Sequence, residues 1–294
     1  MKFTTLLLLI SQISAMTLGE VFKKKFTKKT PFFLSCVCLT STLITFLIIS
    51  FIQNGFNFSG YSARLLRYSL PFGTCFAIST ISSKFALDKG DLSLTGLFLS
   101  FSLILHTLYG IILLGDSVGV LFYIGLVLFF ASLVLVNVKF EKGGKKRKPI
   151  TLKWIIFMSI AFITNGFCCI FQTMQQKAYG GKNGSEMMIL ALILAVFIVL
   201  FATLLTERKN IPSATKSALT WGTPAGVMVA MNNFLVMLFT GRNLMPVAIF
   251  FPVVSGGGLL MVFLWSVLIK KEKFTVPQYI GYALGVVSIV LLNI

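Results

Sequence analysis

Apolar residues run along this chain in long stretches, separated by short polar segments that hold most of the charge. Ten stretches stand out, at about 3–22, 31–52, 67–87, 92–114, 118–138, 152–174, 186–206, 217–239, 245–268 and 275–294. Each is close to the roughly 20 residues an α-helix needs to cross a bilayer core. The pattern predicts an all-α membrane protein of ten transmembrane helices. The first stretch begins like a signal peptide, with Lys2 and then LLLLI, but no small-x-small cleavage site precedes a soluble domain. It is therefore read as the first helix. Helices 4 and 5, and helices 9 and 10, are joined by short polar turns, LLGDS and IKKEK, that suit only neighbouring antiparallel spans.

Two stretches repeat one another. Residues 116–137 read DSVGVLFYIGLVLFFASLVLVN, and residues 272–293 read EKFTVPQYIGYALGVVSIVLLN. At one offset of 156 positions, Tyr123, Ile124 and Gly125 meet Tyr279, Ile280 and Gly281, and Ser132 and Asn137 meet Ser288 and Asn293. An acid precedes both copies, Asp116 and Glu272. The polar segment KFEKGGKKRK, residues 139–148, divides five predicted spans from five. The chain therefore divides into a first five-helix repeat at 1–138, a basic linker at 139–151 and a second repeat at 152–294. Because five is odd, the two copies must enter the membrane in opposite senses, which is the inverted-repeat geometry of many secondary transporters.

Composition narrows the class. The chain is 56% hydrophobic and only 12% charged, about half the charge of an ordinary soluble domain. Ten spans in 294 residues leave no room for a folded domain outside the bilayer, which excludes enzymes built on a large soluble domain. The net charge of +18 does not indicate nucleic acid, because its placement is one-sided. Of the 26 Lys and Arg, 20 fall in the odd-numbered loops. That bias places those loops in the cytoplasm and both termini outside. The five cysteines, Cys36, Cys38, Cys75, Cys168 and Cys169, all lie in predicted spans and read as small buried residues, without partners at metal-ligand spacing.

Polar side chains within a span are costly, so each is a candidate for function. Gln12 lies mid-way along helix 1 and Asn165 mid-way along helix 6, followed by Gln172, Gln175 and Gln176. Asn232 and Asn233 sit together in helix 8, and Ser255 opens the glycine run of helix 9. His106, the one histidine, shares a face of helix 4 with Tyr109. These groups either gather around a polar solute or bond helix to helix, at a modest ~0.6–2 kcal/mol each. The pair Asn232–Asn233 favours the solute, since neighbours on a helix point about 100° apart and cannot both face one packing partner. His106 is also a possible proton carrier. All eight acids lie in loops or at span ends, so no mid-membrane carboxylate is available to bind a cation. No phosphate-binding loop, hydrolase triad or metalloprotease motif is present.

The five-plus-five pattern, the YIG of helix 5 and the ending KKEKFTVPQYIGYALGVVSIVLLN resemble the drug/metabolite transporter superfamily, in its EamA-like branch. Glu272, Thr275, Gln278, Ile280 and Gly281 stand where that family ends on an acid, a Thr, a Gln and an Ile-Gly, and residues 245–263 resemble its ninth helix, with Pro246 leading. Where the small multidrug members carry a carboxylate in helix 1, this chain has Gln12. The resemblance implies a plasma-membrane secondary transporter, monomeric or homodimeric, that moves a small polar metabolite by alternating access. It implies no enzymatic activity, no cofactor and no nucleic-acid partner. Gln12, His106, Tyr109, Asn165, Asn232, Asn233 and Ser255 are the expected solute contacts. A flippase for a lipid or lipid-linked intermediate and a non-transporting scaffold are the alternatives.

Overall fold

In a computed structural model of the chain, residues 3–23, 30–55, 57, 59–89, 99, 101–137, 151–268 and 275–292 are described, and every regular element among them is helical. α1 is Phe3–Lys23, α2 Pro31–Asn54, α3 Leu66–Lys89, α4 Leu103–Leu113, α5 Val120–Asn137, α6 Leu152–Ala178 and α7 Gly184–Thr206. α8 opens at Ile211–Ser217, passes a π turn at Ala218–Gly222 and continues as Thr223–Gly241. α9 is Val247–Leu268 and α10 is Val276–Leu292. Among the described residues, five helical runs are long and apolar enough to cross a membrane: α1, α2, α6, α7 and Arg208–Gly241. Shorter apolar helices cover Ile104–Leu113, Val120–Val136, Val247–Gly258 and Val276–Leu292. The chain thus has the all-α make-up of a membrane protein. Glu272, Asn293 and the linker at 139–148 lie outside the described residues.

α8 starts about two turns earlier than hydropathy predicts. Its first residues, IPSATKS, are polar, but Pro212 suits the first turn of a helix, where its missing N–H costs nothing. Likewise α6 runs on past its apolar stretch through Gln175, Gln176 and Lys177. It stops at Gly180 and Gly181, whose φ values of 57° and 78° need glycine, and Gly181 N–H closes back on the Gln176 carbonyl at 2.8 Å.

The helices form two compact units, Met1–Lys84 with Phe167–Leu244, and Phe85–Gly166 with Met245–Ile294. In the first, Phe46, Phe72, Met187, Met188, Leu192 and Val199 are fully buried between α2, α3 and α7. The opposite face of α7 carries Phe197 at 67% and Phe201 at 66% exposure. Large aromatic side chains facing outward from a mid-helix position suit lipid. α2 is stitched to α8 by hydroxyls: Ser41 Oγ donates to the Thr223 carbonyl at 2.9 Å and Thr42 Oγ1 to the Gly226 carbonyl at 3.0 Å. The start of α2 is held from afar. Both carboxylate oxygens of Glu207, at the end of α7, accept from the free N–H groups of Phe32 and Phe33, at 3.0 and 2.8 Å. A negative charge on the first turn of a helix is well placed against its dipole.

In the second unit α5 and α10 pack antiparallel. A Cβ placed on Gly125 would meet Leu291 Cβ at 3.0 Å, and one placed on Gly281 would meet Leu135 Cβ at 2.9 Å. Those two contacts exchange under the 156-residue offset of the repeat, so the pair is self-complementary in the way of a two-fold interface. Ser132 Oγ donates to the Gly281 carbonyl at 2.6 Å within this seam. The T-x-x-Q of the C-terminal motif is a capping box: Gln278 Oε1 accepts from Thr275 N–H at 3.0 Å. The other end of the same amide donates to the Val136 carbonyl at 3.3 Å, tying α10's start to α5's end. The Asp116 carboxylate accepts from Ala248 N–H, at 2.9 Å, in the first turn of α9.

Candidate functional site

The polar residues named from the sequence divide between the two units. Gln12, Asn232 and Asn233 belong to the first; His106, Tyr109, Asn165 and Ser255 belong to the second.

In the first unit α8 is flanked by α1 and α6 at the level of its asparagine pair. Gln12 is wholly buried on α1, and its Nε2 donates to Asn232 Oδ1 at 2.8 Å. Gln172 is wholly buried on α6, and its Nε2 donates to the Asn233 main-chain carbonyl at 3.1 Å. Asn233 itself turns along its own helix, donating from Nδ2 to the Val229 carbonyl at 2.8 Å. The two asparagines therefore divide their tasks, as their 100° separation requires: one meets a side chain across the helix interface and the other lends its backbone. Glutamine suits both flanking positions because one end of its amide can bind the neighbouring helix while the other stays available.

That second end is unused. Gln12 Oε1 and Gln172 Oε1 are buried with no hydrogen-bond partner, and so are the hydroxyls of Thr17 on α1 and Thr173 on α6. A buried polar atom left without a partner costs roughly 1–3 kcal/mol, and native structures keep few of them outside functional sites. Here four occur on two helices of one unit. Gln172 was visible in the sequence only as one of three glutamines near a helix end. Gln175 and Gln176 have structural duties, Gln175 Nε2 donating to the Lys182 carbonyl at 2.9 Å and Gln176 Nε2 to Gln175 Oε1 at 2.6 Å. Thr17 and Thr173 gave no signal, because a threonine within a helix ordinarily satisfies its hydroxyl on its own backbone. Thr203 and Thr240 do so, bonding the carbonyls four residues back.

In the second unit Asn165 Nδ2 donates to Ser102 Oγ at 2.6 Å, linking α6 to the residue that precedes α4. His106 lies one turn beyond Ser102 on α4. It is buried, stacked on Phe251 with ring centroids 4.5 Å apart, and neither ring nitrogen has a partner. Among the described residues no side chain is bonded to either nitrogen, and one face of the ring packs on Phe251. Tyr109 is half-buried on α4, and Ser255 is half-buried on α9, one turn beyond Phe251.

The fold and the site together define an all-α, membrane-type protein with polar groups buried inside one of its units. No family model matches the chain. The uncharacterized protein MJ1333.1 of Methanocaldococcus jannaschii is 34% identical to it over 101 residues, which are 34% of this chain and 70% of that one. The chain belongs to the family of that protein. A crystal structure described only as that of a protein superposes with a TM-score of 0.73 at 13% identity, covering 99% of this chain and 96% of the other. The two share a fold.

Proposed function

We propose that the protein is a secondary transporter of a small polar metabolite, working by alternating access in the plasma membrane. The observation that carries this reading is a pair of enclosed, unpartnered amide oxygens, Gln12 Oε1 and Gln172 Oε1, on the side chains that bond to α8 at Asn232 and Asn233. A scaffold subunit would be expected to pair its buried polar groups with one another, whereas a carrier keeps some in reserve for its solute. A lipid flippase is supported less well, since Gln12 and Gln172 are wholly enclosed by protein.

The reading extends to ten spans in two inverted copies. Three observations support it. Helices numbered n and n+5 share a compact unit for α2 with α7, α3 with α8, α4 with α9 and α5 with α10, and α1 shares one with the second part of α6, from Phe167. The contacts of Gly125 with Leu291 and of Gly281 with Leu135 are reciprocal. The archaeal relative, of which 101 residues are 70%, is about 144 residues long, close to half of this chain. The resemblance of the C-terminal motif to EamA-like transporters points the same way. Lys-rich odd-numbered loops support an orientation with both termini outside the cell, and the reading needs neither a cofactor nor a nucleic acid. Such a carrier is functional as a monomer or a homodimer and catalyses no covalent step.

A thermal-shift screen of metabolites on the purified protein identifies the solute, and counterflow in proteoliposomes then measures its exchange. Asn232→Leu, which removes Gln12's partner, is expected to slow exchange at least tenfold. An unchanged rate would sink the assignment of this site.

A further inference from the structure

We infer that the solute is uncharged and binds chiefly as a hydrogen-bond donor, a class to which polyols, neutral amide sugars and nucleosides belong. The inference rests on the transport reading and deepens it.

The first argument is the polarity of what is left free. The Asn233 carbonyl can only accept, so Gln172 must present its NH2 to α8 and its Oε1 elsewhere. Gln12 likewise has its Nε2 committed, to Asn232 Oδ1. Both amides are thus held with the acceptor end unused; Gln172 cannot be turned without losing its bond to α8, and Gln12 can turn only together with Asn232. A solute fits these atoms by supplying N–H or O–H groups.

The second argument is the absence of charge. Among the described residues, Glu186 and Glu207 are the buried charged side chains, and no Lys or Arg is buried. Both acids stand at the ends of α7, and both are engaged: Glu186 accepts from Asn54 Nδ2 and Glu207 caps α2. Neither touches the Gln12–Asn232 or Gln172–Asn233 contacts. A charged solute would leave water for amide groups that no charged side chain is seen to bond, which is far more costly than moving a neutral one. An anion would moreover meet two amide oxygens, the wrong end of each dipole.

Matched pairs of probes test this on the wild-type protein in proteoliposomes: mannitol against gluconate, uridine against uridine monophosphate, and N-acetylglucosamine against glucosamine. In each pair that is transported, the neutral member is expected to move at least tenfold faster than the charged one. Gln172→Leu is expected to slow the neutral member at least tenfold while leaving the protein monodisperse. A charged member moving as fast as its neutral counterpart, with sensitivity to Gln172→Leu, overturns the solute class and leaves the transport reading standing. Movement of none of the six probes overturns both.

Discussion

Gln12 and Asn232 lie 220 residues apart in the chain and 2.8 Å apart in space, joined amide to amide between α1 and α8. A double-mutant cycle measures what that bond contributes. With Gln12→Leu and Asn232→Leu, the coupling in an unfolding assay in detergent is expected near ~1 kcal/mol, within the range for polar contacts between membrane helices. Gln12→Leu alone should cost less than Asn232→Leu, because it also removes the unpartnered Oε1. Equal costs with no coupling would show that the two amides act independently.

Glu207 is expected to matter to stability more than its place in a loop suggests. Glu207→Ala frees two N–H groups in the first turn of α2 and removes a charge that opposes the helix dipole. A loss of about 2 kcal/mol is expected, seen as a lower midpoint in thermal unfolding. Glu207→Gln, which keeps one acceptor, should recover about half. A neutral Glu207→Ala would mean that water caps α2 equally well.

The α5–α10 seam predicts an order among three substitutions. Gly119→Ala meets nothing within 4 Å and should be silent. Gly125→Ala brings a Cβ to 3.0 Å of Leu291 Cβ and 3.1 Å of Leu292 N, slightly wider than at Gly281, and the ~1 kcal/mol gained by replacing a helical glycine should offset much of the strain. Gly281→Ala meets Leu135 Cβ and Val136 Cγ2, both at 2.9 Å, and Val136 N at 3.0 Å. Backbone cannot rotate away, so a net loss of about 1–3 kcal/mol is expected. Thermal melts of the three variants in one detergent give the ranking.

His106 offers a separation of packing from proton transfer. Its ring stacks on Phe251 and makes no hydrogen bond at either nitrogen. His106→Phe keeps the stack and removes two unpartnered polar atoms, so the variant should be at least as stable as the parent and should retain transport. A stable variant that no longer transports would restore His106 as a proton carrier.

The sequence made some of this plain and hid the rest for physical reasons. The extent of α5 and α10 follows from hydropathy to within two residues, and their kinship from the shared YIG, Ser and Asn. Gln12 and Asn232 stand out because an amide within an apolar helix is costly wherever it points. Their pairing does not stand out, since nothing local encodes contact across 220 positions. The same holds for Glu207, which reads as a loop acid until α2 is seen to begin beside it. Grouping by sequence gives halves, whereas packing in space joins α1, α2 and most of α3 to α7, α8 and the second part of α6, because helices join by matching faces and not by chain order. The π turn in α8 left no trace, as its residues ALTWG differ little from an ordinary helix.

The seam between α5 and α10 also sets a timetable. Ribosomes add about 5–20 residues per second, so the 156 positions between Gly125 and Gly281 take roughly 10–30 s to make. Throughout that interval the glycine face of α5 lacks its α10 partner, and Ser132 lacks the carbonyl it will bond. The last helix is the one that relieves it. Biogenesis of this protein therefore contains a waiting state, one that a chaperone or a neighbouring copy can occupy and that premature termination before residue 281 would make permanent.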